Sequence, residues 1–313
     1  MDGTDAMTRR QLLAASGALG VGALAGCSGS SGGTAATVLA AGSLNVVFNE
    51  TVGPAFAEAT EYRYRGEFHG SNAVMRMVLG GQKHPDAIVS ADAALLREKL
   101  QAGPDPVTDW DVVFASNEVG ITYAPETDLG GRLAAGEPWY QVLRESDAEI
   151  ARSDPDLDPL GYRTVMLFEL AEQYYDEPGL AAELTDNLLV DPSESHMLAA
   201  VETGDRVAAV TYKNMAVDHG LSFLSLPDEL NFSNPNYADH YASASYTTDE
   251  GHTVAGTPVL YNATVPADAE NAAAGRQFVR FLATEPDLLR ENGLVATETF
   301  PRAHGAVPEG VIP

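Results

Sequence analysis

Three observations predict an α/β fold of two lobes joined by crossing strands. Short apolar runs alternate with segments of helical spacing from residue 36 onward, which is the pattern of successive βα units. That alternation is interrupted near residues 112–123 and again near 256–264, where strand-like stretches lie without an intervening helix and suit a passage from one lobe to the other. The chain has 313 residues with 45% hydrophobic content, enough to bury two moderate cores. Residues 36–115 together with 256–313 are therefore expected to form lobe 1, and residues 116–255 lobe 2.

The elements follow in order. "ATVLAAGSLN" gives a strand that ends in small residues, and "LNVVFNETVGPAFAEATE" continues as a helix with Val47, Phe48 and Phe56 on one side. "YRYRGEFHGSNAVMRMVLGG" repeats the plan: a strand through Phe68, a turn at His69-Gly70-Ser71, and a helix stopped by Gly80-Gly81. A third strand, Ala87 to Val89, turns at Ser90 into a third helix. Consecutive units of this kind predict a mainly parallel sheet with right-handed crossovers. Val112 to Ala115 and Val119 to Tyr123 are strand-like with a polar break between them. "DPLGYRTVMLFELAEQYY" predicts a strongly amphipathic helix, "RVAAVTY" and "GTPVLYNATVP" further strands, and "AENAAAGRQFVRFLATEP" a last helix before an irregular tail.

The N-terminus reads as an export signal. "TRRQLLAASGALGVGALAGC" places Arg9-Arg10 before an apolar small-residue stretch and a cysteine preceded by "LAG", the arrangement of a Tat-type signal ending in a lipobox. Residues 1–26 are expected to be removed, with Cys27 the lipidation site and 27–35 a flexible tether. The stretch from Leu12 to Gly26 is too short to span a bilayer. Cys27 is the single cysteine, which excludes an internal disulfide and a cysteine-based metal cluster. The expected location is the cell surface, anchored by lipid to the outer face of the membrane.

Lys and Arg number 18 against 45 Asp and Glu, a formal charge of -27. Such a chain lacks the basic face that would bind nucleic acid or anionic lipid. Carboxylates in this excess repel one another at ordinary ionic strength, and molar salt removes most of that cost by shortening the Debye length to about 3 Å. A high-salt setting is the expectation.

Function is suggested by the strand ends. Ser43 in "AAGSLN", Ser71 in "FHGSNAVMR" and the "DPLGYR" entrance each put small or hydroxyl-bearing residues where a helix begins. Helix starts carry unpartnered N–H groups and partial positive charge, so an oxyanion placed among them is bound without lysine. Each serine alone would also serve as a helix cap, contributing about 1 kcal/mol; together, each behind a glycine, they suggest an anion cleft. Catalytic signatures are missing: the chain has no GxSxG, Walker loop, GxGxxG or HExxH, and its seven histidines show no pair at metal-ligand spacing. "DPDLDP" lacks the glycine and terminal glutamate of a calcium loop. Asn49, Asn231 and Asn262 each open a glycosylation sequon.

Over nearly all of the mature chain, "AGSLNVVF", "GSNAVMRMV", "PDAIVSADAAL", "FASNEVGITY", "DPDLDPLGYRTVMLFELAEQYY" and "YKNMAVDHGLSFLSLPDELN" resemble the archaeal tungstate/molybdate-binding lipoproteins that feed ABC importers. The resemblance implies a periplasmic-binding-protein fold whose two lobes close over tungstate or molybdate, no cofactor, no enzymatic activity, and permease and ATPase subunits as partners of a monomeric receptor. It implies that Ser43 and Ser71 hydrogen-bond the oxyanion, that Asp158 approaches the metal of the oxyanion, and that Tyr212 binds as in related bacterial molybdate proteins. Where the family has a second carboxylate before that tyrosine, this chain has Thr211, whose hydroxyl could still donate to an oxyanion oxygen. Asp158 keeps two readings, a structural cap or a group at the ligand, while Asp154 and Asp156 are assigned to the turn and helix entrance. Sulfate, thiosulfate or another tetrahedral oxyanion is the alternative ligand; an exported hydrolase and an adhesion module are the competing classes.

Overall fold

A computed structural model describes residues 34–313 apart from 157, 158, 192, 193, 250 and 252. The expected signal segment, Cys27 and Asp158 lie outside the described residues. Thirteen strands occur among the described residues: β1 (Ala35–Ala41), β2 (Arg63–His69), β3 (Ala87–Ser90), β4 (Trp110–Ser116), β5 (Val119–Tyr123), β6 (Ile150–Ser153), β7 (Leu189–Asp191), β8 (Ala208–Tyr212), β9 (Ser222–Leu224), β10 (Ser245–Thr247), β11 (Thr253–Ala255), β12 (Leu260–Thr264) and β13 (Arg302–Gly305). They make a six-stranded sheet in the order β13-β4-β12-β3-β1-β2, a five-stranded sheet in the order β7-β6-β8-β5-β9, and a separate β10-β11 pair.

Both large sheets are mixed, which corrects the mainly parallel sheet expected from the alternation. β1 is parallel to β2 and β3, and β6 is parallel to β7 and β8, because a helical crossover links successive strands there. The crossing strands have no such helix and arrive from the opposite direction. β12 is antiparallel to both β3 and β4, β13 to β4, and β5 to both β8 and β9. The tail expected to be irregular supplies the Pro286–Glu291 helix as well as β13.

Period-2 alternation sorts the strand residues onto two faces. Val38, Ala40, Ala87 and Val89 join the main core, while Leu39 and Ile88 pack beneath Val74, Met75, Leu96 and Leu100 on the other side. Burial on both faces explains why β1 and β3 read as unbroken apolar runs. On the main-core face lies the Ala272–Thr284 helix, whose Phe278 meets Phe48 and Phe56 edge-on at centroid distances of 5.7 and 5.2 Å. Asp86 fixes the start of that layer: its carboxylate accepts from Thr37 N (2.8 Å), Thr37 Oγ1 (2.7 Å) and Asn271 N (2.7 Å).

The Pro159–Tyr175 helix is buried on more sides than a strongly amphipathic helix would be, with Leu160, Arg163, Thr164, Met166, Leu167, Phe168 and Leu170 all inside. It contacts β5, β6, β8, β10 and the Leu180–Asn187 helix, so little of its circumference is left for solvent. No helix of the described residues is long and apolar enough to cross a membrane.

Candidate functional site

β1 and β2 are parallel neighbours in the register Ala41 to His69, so the turns that follow them emerge at the same sheet end. Gly42–Leu44 forms the first helical turn after β1, and Gly70 precedes the Ser71–Leu79 helix after β2. This local geometry brings Ser43 and Ser71 to the carboxyl edge of the sheet, where open α/β sheets hold ligands. Opposite them, β8 of the five-stranded sheet ends at Tyr212, and the N-terminal part of the Pro159–Tyr175 helix presents Tyr162 and Arg163. A cleft of about 490 Å³ lies between, lined by Ser43, Ser71, Asp92 and Tyr261 on one wall and by Tyr162, Arg163 and Tyr212 on the other.

Neither serine caps its own helix. Ser43 Oγ lies 3.1 Å from the Tyr261 hydroxyl, and Ser71 Oγ accepts from the Ala91 amide at 3.2 Å. The Ser71 oxygen being the acceptor there, its proton can be offered to another group. Beneath the serines a polar belt joins the two sheets: Asn117, just beyond β4, donates to the Tyr261 hydroxyl (3.1 Å) and to Asn214 Oδ1 (2.6 Å), and Asn214 Nδ2 donates to the Ser43 carbonyl (2.7 Å). Beside it, Glu118 is buried and held by Lys213 Nζ at 2.7 Å and Ser225 Oγ at 3.0 Å.

Of the residues expected at a ligand, Ser43, Ser71 and Tyr212 share this cleft, whereas Thr211 does not line it. Successive strand residues point to opposite faces. Tyr212 reaches the cleft, so Thr211 turns into the packed layer behind it, fully buried, with an Oγ1 that finds no partner among the described residues.

Arg163 is the cleft residue that sequence reasoning missed. It is 5% exposed, its Nη1 donates to the Tyr212 hydroxyl at 2.8 Å, and its guanidinium lies 5.5 Å from the centre of the Tyr162 ring. Burial works against its charge, but Tyr212, Tyr162 and Asp92 around it more than offset that, and its pKa stands above the ordinary arginine value. Its Nε has no partner among the described residues.

The acidic entrance to this helix divides its labour. Asp154 Oδ1 accepts from Asp156 N at 2.9 Å and shapes the turn, as expected. Asp156 reaches elsewhere, accepting from Asp249 N (2.9 Å) and the Tyr246 hydroxyl (3.3 Å), which fastens the β10-β11 pair to the turn. Gly161 is required because a Cβ there would run into the Asp154 carbonyl. Two of the three sequons are closed to modification: Asn231 and Asn262 are buried, with their amides donating to the Leu226 carbonyl and the Asp111 carboxylate.

Comparison with known proteins places this geometry in a family. The family pattern described as bacterial extracellular solute-binding protein matches residues 36–294. An uncharacterized solute-binding protein of Halobacterium salinarum is 49% identical, covering 99% of both chains. A putative ABC transporter molybdenum-binding protein of Haloferax volcanii is 38% identical over 96% of both. A molybdate/tungstate-binding protein of Thermococcus kodakarensis is 30% identical, covering 89% of this chain and 86% of that one. Among solved structures, the periplasmic molybdate-binding protein of Azotobacter vinelandii superposes with a TM-score of 0.58 at 14% identity, covering 84% of this chain and 99% of that one. The substrate-binding domain of a putative molybdenum ABC transporter from Clostridium difficile gives 0.59 at 16% identity, covering 85% and 100%. The two-lobe α/β architecture is thus that of the periplasmic molybdate-binding proteins, and the chain belongs to the extracellular solute-binding protein family.

Proposed function

We propose that this protein captures molybdate or tungstate outside the cell and delivers it to the permease and ATPase of an ABC importer. The observation that carries the reading is the meeting of two strand-end serines with a buried arginine and its tyrosine across one cleft. Hydroxyl donors and a fixed cation suit a tetrahedral oxyanion, and the names of the Haloferax and Thermococcus relatives support these two ligands. The cleft is far roomier than one such anion, so closure of lobe 1 (36–115 with 256–313) on lobe 2 (116–255) would bring both walls to hydrogen-bonding distance. Asp158 is assigned to the metal centre of the bound anion, where a carboxylate would repel sulfate yet serve a metal able to accept another oxygen. Cys27 is assigned as the lipid anchor that holds a monomeric receptor at the cell surface after Tat export.

Sulfate is the competing ligand, since position 211 supplies no carboxylate to the cleft. Isothermal titration in molar KCl with tungstate, molybdate and sulfate separates the two. Tight binding of the metal oxyanions is expected, weakened about 10- to 100-fold by Ser43→Ala or Ser71→Ala, the loss of one hydrogen bond to a charged group. Asp158→Ala should relax discrimination against sulfate. Sulfate bound as tightly as molybdate by the unmodified protein would replace this reading with a general oxyanion receptor.

A further inference from the structure

Building on the oxyanion reading of the cleft, we propose that Arg163 sets the charge of the anion accepted, selecting dianions over monoanions of the same shape. Two arginines line the cleft among the described residues; Arg76 is exposed, whereas Arg163 is buried. Water screens the first and hardly reaches the second, so of the two arginines Arg163 acts more strongly on a bound anion. A buried cation is costly unless something compensates it. Asp92 acts on Arg163 across the cleft, but among the described residues no carboxylate lies within ion-pair distance of it; its hydrogen-bond partner is the Tyr212 hydroxyl, and its Nε has no hydrogen-bond partner among them. Across the cleft, Asp92 spends one carboxylate oxygen on the Leu95 amide at the start of the next helix.

The bond to Tyr212 sets the charge against a hydroxyl of the cleft wall. A guanidinium only donates, so the phenol oxygen of Tyr212 is the acceptor. The cation therefore polarises a hydroxyl on the cleft wall as well as acting through space. Around this point the molecule carries a net charge of -27, a field that opposes any anion and a dianion twice as strongly. A preference for dianions must arise inside the cleft, and Arg163 is the buried cation placed to produce it.

Perrhenate provides the test, being tetrahedral, close to tungstate in size and singly charged. Competitive titration in molar KCl would compare tungstate with perrhenate for the unmodified protein, Arg163→Lys, Arg163→Gln and Arg163→Met, with a thermal melt of each to confirm folding. The unmodified protein should prefer tungstate by about 100-fold or more, and Arg163→Met should cut that ratio at least about tenfold, chiefly through lost tungstate affinity. Arg163→Lys should keep the ratio while binding both anions more weakly. Arg163→Gln, which can still donate to Tyr212, should lose the ratio as the Met variant does, and it decides the matter if the Met variant does not fold. An unchanged ratio in a folded neutral variant, or equal affinities in the unmodified protein, would overturn the assignment. Failure of the unmodified protein to bind any tetrahedral oxyanion would instead sink the oxyanion reading on which it rests.

Discussion

Asp218 closes the Lys213–Asp218 helix, partly buried, and burial pushes its carboxyl up to about 6; His219 relieves some of that shift and Glu50, from the helical segment after β1, adds to it. A carboxyl raised in the folded state holds its proton there longer than in the unfolded chain, so stability falls as pH rises from about 4 to about 6 and stays lower above. Asp218→Asn should leave the melting temperature near pH 4 unchanged and raise it by about 2 °C at pH 7. Melting curves of both proteins across this range check it, and a difference independent of pH would remove titration as the cause. At this scale legibility was uneven. The Gly-Ser pairs at strand ends marked two residues that line the cleft, because a glycine before a hydroxyl at a helix start is a local feature. Thr211 lies off the cleft, which the sequence could not show because it does not say which face of a strand looks into a cleft. Arg163 escaped because a basic residue in an acidic chain reads as solvated surface until burial shows otherwise.

Among the elements, the join between β1 and the Ala272–Thr284 helix rests on Asp86. Its carboxylate receives the backbone amides of Thr37 on Oδ2 and Asn271 on Oδ1, two residues far apart in sequence. Asp86→Ala leaves both amides without that acceptor and should cost about 2 to 4 kcal/mol of unfolding free energy, measured by urea titration. A loss below about 0.5 kcal/mol would mean that the helix start is held by its apolar face alone. The strands and helices themselves were largely readable, since each keeps its period for several residues. Their pairing directions were not: direction depends on where a segment comes from, and the crossing strands come from the other lobe. The Pro159–Tyr175 helix was read as amphipathic because the neighbours that cover its remaining sides are distant in sequence.

For the whole molecule, the charge of -27 governs the response to salt. Raising KCl from about 0.1 M to about 2 M shortens the screening length several-fold and should raise the melting temperature, with sodium chloride doing the same. A flat response would dismiss salt adaptation as the reason for the acidity. The two-lobe architecture was legible from the two interruptions of the βα pattern, which mark where the chain changes sheets; what closes the six-stranded sheet was not. β12 sits between β3 and β4 although it follows them by well over a hundred residues. During synthesis the five-stranded sheet has all its strands once Leu224 has emerged, but β3 keeps a bare edge until Thr264 follows and β4 keeps one until Gly305. The lobe that begins the chain is therefore the one that finishes late, and its exposed strands depend on the ribosome reaching the far side of the other lobe.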